Sequence, residues 1–461
     1  MSKSLAKHYD EIALNLRKEI TKGVPHWRRF YLSVKLKFVI STLIAGLWFT
    51  FSIWVAQPWL EDLSAIVGPF LAYPIIFFIA LIPGFLNVHI LMSVLLDSPP
   101  PLPLDLLSSS RSFPPVTILI AAYNEEENLP DTLQAIAAQD YAGPVEIVVV
   151  DDGSTDNTAA ILESSNLPHL KIVQSPHAGK AAALTAGLKS VTSEITVCID
   201  ADTYLHRQAL KRIVARLLSD NSNVAAVAGA VLVRNSRSTL MTRLQEWDYF
   251  IGIASAKRQQ SLYQGTLVAQ GAFSVFRTSV LRRCNGWPSV IGEDIVLTWK
   301  LLSEGYRVGY EATAIAFTTA PSHLRDFWRQ RQRWARGMIE GLKRYGRLVR
   351  QGSLASFFVG IDFAIPAIDL FYSVVFLPGL ILALTGRYYV VGPFTLLVIP
   401  LTFLIFMLVY QKQKKVFDEL DLKVRRNSLG FFLFLIVYQA IMSPICVAGY
   451  FKELAGVKKR W

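Results

Sequence analysis

Ile195-Thr-Val-Cys-Ile-Asp-Ala-Asp-Thr203 is a short apolar, β-branched run that ends in two carboxylates, Asp200 and Asp202, one residue apart. Residues i and i+2 of an extended segment point the same way, so both acids are expected to face one ligand at the end of a strand. A hard divalent cation wants such oxygens, and Mg²⁺ typically takes one or two carboxylates together with substrate phosphates.

Working outward, the sequence alternates. Val116–Ala121, Glu146–Val150, Lys171–Gln174 and Ile195–Ile199 read as strands, and Asn128–Ala138, Thr155–Ser164 and Gly179–Ser190 as the helices between them. Val224–Val233 reads as a further strand. Such alternation predicts an α/β domain with a mostly parallel sheet, binding ligand at the carboxyl ends of its strands.

Beyond this domain the composition changes. Over 461 residues, 52% are hydrophobic and 18% charged; the mean hydropathy is +0.35. Soluble domains carry about a quarter charged residues, so a membrane protein is expected. Apolar runs at about Phe38–Ala56 and Ile66–Leu96 precede the domain, and runs at Ala355–Leu384, Val390–Tyr410 and Leu429–Phe451 follow it. Of the last three, Ala355–Leu384, with Asp362, Pro366 and Asp369, is the first candidate for an interface helix or re-entrant hairpin. The net charge of +12 is concentrated beside these runs, at Trp27–Lys37 and in the loop Lys412–Arg426. That placement suits anionic lipids and a cytoplasmic side better than nucleic acid, for which no motif is present. Three dispersed cysteines predict free thiols rather than a disulfide or zinc site. The expected divisions are a basic amphipathic segment (1–37), two spans (38–97), the α/β domain (98–321), a basic interface helix (322–353) and a C-terminal membrane region (354–461).

Several motifs sit at the strand ends. Ala122-Tyr-Asn-Glu-Glu126 follows the first strand; its acid and amide suit a ribose or base, or Asn124 or Asn128 caps a helix. Asp151-Asp-Gly-Ser-Thr155 follows the second. Its adjacent acids call for donors such as a uracil N–H or ribose hydroxyls, while a plain Asp-Gly turn, with Ser154 capping the next helix, is the alternative. Lys180 opens a helix, where a diphosphate is favoured by charge and free N–H groups; His177 reads as a rim residue. Glu293 and Asp294 precede an amphipathic helix, as dipole partners or as a general base. In a helical stretch from about Ser322 to Arg350, Gln330, Arg333 and Trp334 share one face. Arg333 suits a pyrophosphate and Trp334 a sugar ring, the alternative being an interface helix.

In order and spacing, Ala-Tyr-Asn-Glu at 122–125, Asp-Asp-Gly-Ser at 151–154, Asp-Ala-Asp at 200–202, Glu-Asp at 293–294 and Gln-Arg-Gln-Arg-Trp at 330–334 resemble the membrane-embedded, processive family 2 glycosyltransferases. The resemblance covers about residues 114–350 and is greatest to bacterial poly-β-1,6-N-acetylglucosamine synthases. It implies a GT-A fold and inverting transfer from a UDP-sugar, with a hyaluronan-, chitin- or glucan-type synthase, a glycolipid-forming enzyme or a non-catalytic nucleotide-binding scaffold as alternatives. By that likeness Tyr123, Glu125 and Asp152 hold uridine with Asp151 nearby, and Lys180 and Arg333 meet the diphosphate. Asp200 and Asp202 bind it through Mg²⁺ or Mn²⁺, Asp202 more directly. Asp294, beside Glu293, is the base, while Gln330 and Trp334 line the diphosphate and acceptor ends. Phe273, within Gly271-Ala-Phe-Ser274, falls where relatives touch the acceptor sugar. The implied setting is a multi-pass protein of the inner membrane with a cytoplasmic catalytic domain. Its implied partners are a UDP-sugar, a polysaccharide acceptor, membrane lipids and a small membrane accessory subunit.

Overall fold

In the computed structural model, which describes residues 32–98, 102, 113–220, 223–392 and 398–458, the run ending in Asp200 is β4 (Ile195–Asp200), near the middle of an eight-stranded sheet. The strand order is β3-β2-β1-β4-β7-β6-β8-β5. β1 (Val116–Ala122) pairs in parallel with β2 (Val145–Asp151) and β4, and β2 with β3 (Leu170–Gln174). β7 (Phe273–Arg277) is antiparallel to both β4 and β6 (Val224–Val233). β6 runs parallel to the long β8 (Arg307–Thr318), whose far edge carries the short antiparallel β5 (Thr203–Leu205).

Alternation along the strands divides the core. Ile118, Ile120, Val197 and Ile199 face one layer with Leu129, Leu133 and Ile213; Leu119, Val148, Val150 and Cys198 face the other with Leu184, Leu297 and Trp299. Asp200 has the parity of Cys198, which directs it towards the helix Lys180–Leu188. The strand ends at Asp200 and turns through Ala201 and Asp202, so the two acids meet across a turn and not along one extended segment. The expected strands and helices appear within a few residues of their predicted ends. Ser154 does not cap the helix Thr158–Ser164; its hydroxyl accepts from the Asn124 N–H instead.

Val34–Val55, Pro69–Leu96 and Leu354–Leu384 are long and apolar enough to cross a membrane, and Ser428–Ile436 with Tyr438–Leu454 form a pair bent by 52°. The interrupted element is therefore the last pair, whereas Leu354–Leu384 is a long helix that absorbs Pro366 and continues through a π turn at Tyr372–Phe376. Much of the segment expected as the loop Lys412–Arg426 is helical, because the helix Val398–Glu419 buries Gln413, Val416 and Phe417 on its inner side. The predicted amphipathic segment up to residue 31, most of residues 98–115 at the start of the expected α/β domain, and Lys459-Arg460 lie outside the described residues.

One soluble-domain helix, Ala254–Leu262, is pinned to the apolar helices. Arg258 Nη1 donates to Asp97 Oδ2 at 3.2 Å and its Nη2 to Gln413 at 2.7 Å. Gln259 lies 2.8 Å from His89 Nδ1, and Tyr263 donates to Ser41 at 3.0 Å. All these side chains are buried.

Candidate active site

The site forms where β1, β2 and β4 end together. Asn124 takes a left-handed conformation (φ 55°) and its Oδ1 accepts from the Thr155 N–H at 2.8 Å, so the loop after β1 is stitched to the turn after β2. Asp151 and Asp152 are buried and serve this stitching. Asp151 Oδ1 accepts from the Ser154 N–H at 2.9 Å, and Asp152 accepts from the N–H groups of Ala178 and Gly179 at 3.0 and 2.9 Å. Asp152 thereby shapes the entrance to the Lys180–Leu188 helix. Above it, the half-exposed ring of Tyr123 stacks on His177 with centroids 4.1 Å apart.

The acids and the lysine are brought together. Lys180 Nζ contacts Asp200 Oδ1 and lies 3.7 Å from Glu293 Oε1. Burial works against the ammonium, yet Asp200 and Glu293 outweigh it and hold Lys180 firmly charged. A Cβ on Gly271 would stand 2.5 Å from this Nζ, so a larger residue there would push the lysine end aside. Asp294 lies in the first turn of the helix Glu293–Ser303; its Oδ1 accepts from the Ile295 N–H at 2.8 Å, and the Gly271 N–H points at Oδ2 from 3.4 Å.

Asp202 is the loose end. Among the described residues, its carboxylate accepts a single hydrogen bond, from Thr318 Oγ1 at 3.2 Å. Burial, reinforced by the charges of Asp200 and Glu125, pushes its carboxyl up to about 7. Glu125 is itself raised, by burial before the neighbouring acids. Excess negative charge of this kind is what a divalent ion relieves. Among the described residues no three of His, Cys, Asp and Glu are grouped as a metal site, so an ion held here draws its other ligands from elsewhere.

The helix Leu324–Tyr345 closes the site. Arg333 and Trp334 are exposed on it, and the side-chain oxygen of Gln330 is buried without a hydrogen-bond partner. Trp334 is held from below by Arg331, whose guanidinium lies 4.0 Å from the ring and 2.8 Å from Asp248. Arg331 lies inside the Gln-Arg-Gln-Arg-Trp motif without a role assigned to it there, and no motif contains Thr318 or Tyr249. The buried Tyr249 feels both Asp202 and Arg333, and so links the two halves of the site. An acid set among aromatics at Trp247-Asp-Tyr-Phe250 was the one available signal. Phe273 does not reach an acceptor: it is the first residue of β7, opposite Ile199, and is fully buried in the sheet core.

Residues 114–337 match the family described as glycosyltransferase like family 2. They are a glycosyltransferase family 2 domain. The poly-beta-1,6-N-acetyl-D-glucosamine synthases of Staphylococcus aureus (strain COL) and Staphylococcus epidermidis are each 34% identical to the chain over 232 residues, 50% of this chain and 56% of theirs. The chain thus spans about half the length of the curated relatives it matches. Among solved structures, a mannosyltransferase from Pyrobaculum calidifontis in complex with GDP-Man and Mn2+ superimposes with a TM-score of 0.53 at 20% identity, covering 87% of this chain and 100% of that one. That likeness establishes a GT-A-like fold, and apolar helices flank the domain.

Within the glycosyltransferase domain, burial pushes Glu293 up to about 7 from its usual 4.5; Lys180 opposes the shift and Asp294 adds to it. A carboxyl raised on folding contributes stability that is fully present below its unfolded value and is lost as pH rises through the folded one. Thermal stability is therefore expected to decline between pH 4.5 and about 7. Glu293→Gln flattens that decline; an unchanged slope in thermal melts removes Glu293 as its source.

Proposed function

We propose that the chain is an inverting glycosyltransferase that moves N-acetylglucosamine from UDP-N-acetylglucosamine onto a growing poly-β-1,6-linked polysaccharide. It works at the cytoplasmic face of the inner membrane, with export coupled to synthesis. The observation that carries this reading is the junction at Lys180, which touches Asp200 on the donor side and approaches Glu293, next to Asp294, on the other. The relatives' printed names supply the sugar and linkage.

Asp202 and Asp200 hold Mg²⁺ or Mn²⁺ in this scheme. Once bound, the ion supplies Lewis-acid stabilisation of the departing diphosphate. Lys180 and Arg333 offer the same diphosphate fixed positive charge. The stacked Tyr123 and His177 and the raised Glu125 frame the nucleoside. Asp294 takes the proton of the acceptor hydroxyl as its oxygen bonds to the anomeric carbon; the bond to UDP breaks and its electron pair leaves with the diphosphate. Trp334, braced by Arg331, gives the acceptor sugar a stacking face. Membrane lipids, the polysaccharide and an accessory subunit are the proposed partners.

The test is UDP release from membranes containing the full chain, supplied with each UDP-sugar in turn. UDP-N-acetylglucosamine is expected to give the fastest release, and chelation of divalent cations to abolish it. Preference for UDP-glucose overturns the proposed sugar, and full activity in chelator overturns the role of Asp202.

A further inference from the structure

Residues 264–272 form a strap between the helix Ala254–Leu262 and β7, and it is sewn down along its length. The Leu267 N–H donates to Gln260 Oε1 at 3.1 Å, and the Ala269 N–H to Thr298 Oγ1 at 2.8 Å. The Thr298 hydroxyl in turn donates to the Asp294 carbonyl at 2.7 Å. Between these two stitches, Lys257 Nζ donates to the Val268 carbonyl at 2.7 Å. Three residues further on, the strap presents the Gly271 N–H to Asp294 Oδ2 at 3.4 Å. That separation is long for an N–H···O bond, so a shift of a few tenths of an ångström decides whether it forms.

Lys257 is an expensive way to hold a carbonyl. Its side chain is buried, and burial pushes its ammonium down to about 7. A buried cation with one neutral acceptor is unfavourable unless a charge faces it. The negative charge that acts on it is that of Asp294.

We propose that Lys257 is a positioning residue for sugar transfer: through Val268 it fixes the strap that brings the Gly271 amide onto the Asp294 carboxylate. The role rests on the proposed reading of Asp294 as the base. Thr298 ties the same strap to the Asp294 backbone, so Lys257 and Thr298 set the base from two sides. Neither touches donor or acceptor.

The test uses the full chain in membranes and compares Lys257→Met, which keeps the length but removes the donors, with Thr298→Val, their double variant and Asp294→Asn. Turnover, the KM for UDP-N-acetylglucosamine and UDP binding are measured for each. Lys257→Met is expected to lower kcat by about tenfold to a hundredfold, the scale of a base displaced by an ångström or less, with KM and UDP binding unchanged. The double variant is expected to fall short of the product of the single effects, because both act on one strap. Wild-type kcat in Lys257→Met, an equal loss of kcat and UDP binding, or fully multiplicative effects overturns the proposal. If Lys257→Met does not accumulate, Thr298→Val carries the test, and wild-type turnover there overturns it. Transfer by Asp294→Asn removes the base and this role together. Loss in Asp294→Asn with normal turnover in Lys257→Met removes only the role of Lys257.

Discussion

Asp294→Asn is expected to lower sugar transfer by about 10²–10⁴-fold, the range spanned by a positioned general base, while leaving UDP binding intact. The substitution is nearly isosteric, and the Ile295 N–H that holds Oδ1 at 2.8 Å can still donate to an amide oxygen. What disappears is the capacity to accept the acceptor's proton. The neighbouring acid is poorly placed to take over, because Glu293 is directed to Lys180, 3.7 Å away. Turnover by UDP release, set beside UDP binding to the same membranes, separates loss of chemistry from loss of fold. Near-normal turnover would remove Asp294 from the reaction and leave the cluster to donor binding alone.

Gly337→Leu is expected to be the most damaging change away from the acids. The helix Leu324–Tyr345 crosses the start of Glu293–Ser303 with two glycines in contact. A Cβ at Gly337 would stand 2.8 Å from the Gly292 Cα, and one at Gly292 would stand 2.5 Å from the Gly337 Cα. Both obstacles are backbone, so no side-chain rotation makes room and the helices must part. Overpacking with that little freedom costs about 3 kcal/mol or more. The consequence reaches chemistry, because one helix carries Asp294 in its first turn and the other presents Gln330, Arg333 and Trp334. A displacement of an ångström between them costs about a hundredfold in rate. Thermal unfolding and turnover of the purified full chain check both effects, with Gly337→Ala expected to lie between wild type and Gly337→Leu. Wild-type melting of Gly337→Leu would show that the crossing yields without cost.

The parts of this molecule legible in the sequence were those set by local periodicity. β1 to β4 announce themselves by apolar runs, and the acids at their ends follow from where those runs stop. Val34–Val55, Pro69–Leu96 and Leu354–Leu384 were legible by length, whereas the bend in the last pair was not. The helix Val398–Glu419, expected as the span Val390–Tyr410, does not pass the same test of length and apolarity. Long-range placement was not. Nothing in Gly271-Ala-Phe-Ser274 shows that Phe273 starts a strand wedged antiparallel between β4 and β6, because that pairing joins segments far apart in the chain. Asp151 and Asp152 look free for a ligand as a dipeptide, yet the backbone groups that occupy them come from the turn itself and from Ala178 and Gly179. Lys257 and Arg331 sit in polar stretches where a lysine or arginine is ordinarily solvated, and only the packed structure reveals them as buried.

The side chains that pin Ala254–Leu262 to its apolar neighbours bear on how this protein can be studied. Cutting out the soluble part for crystallisation or screening strips Asp97 and Gln413 from Arg258 and leaves a bare guanidinium on the scaffold from which Lys257 reaches its strap. Kinetics measured on such a fragment describe a different machine. The choice of detergent or nanodisc thereby becomes an experimental variable of the catalytic centre itself.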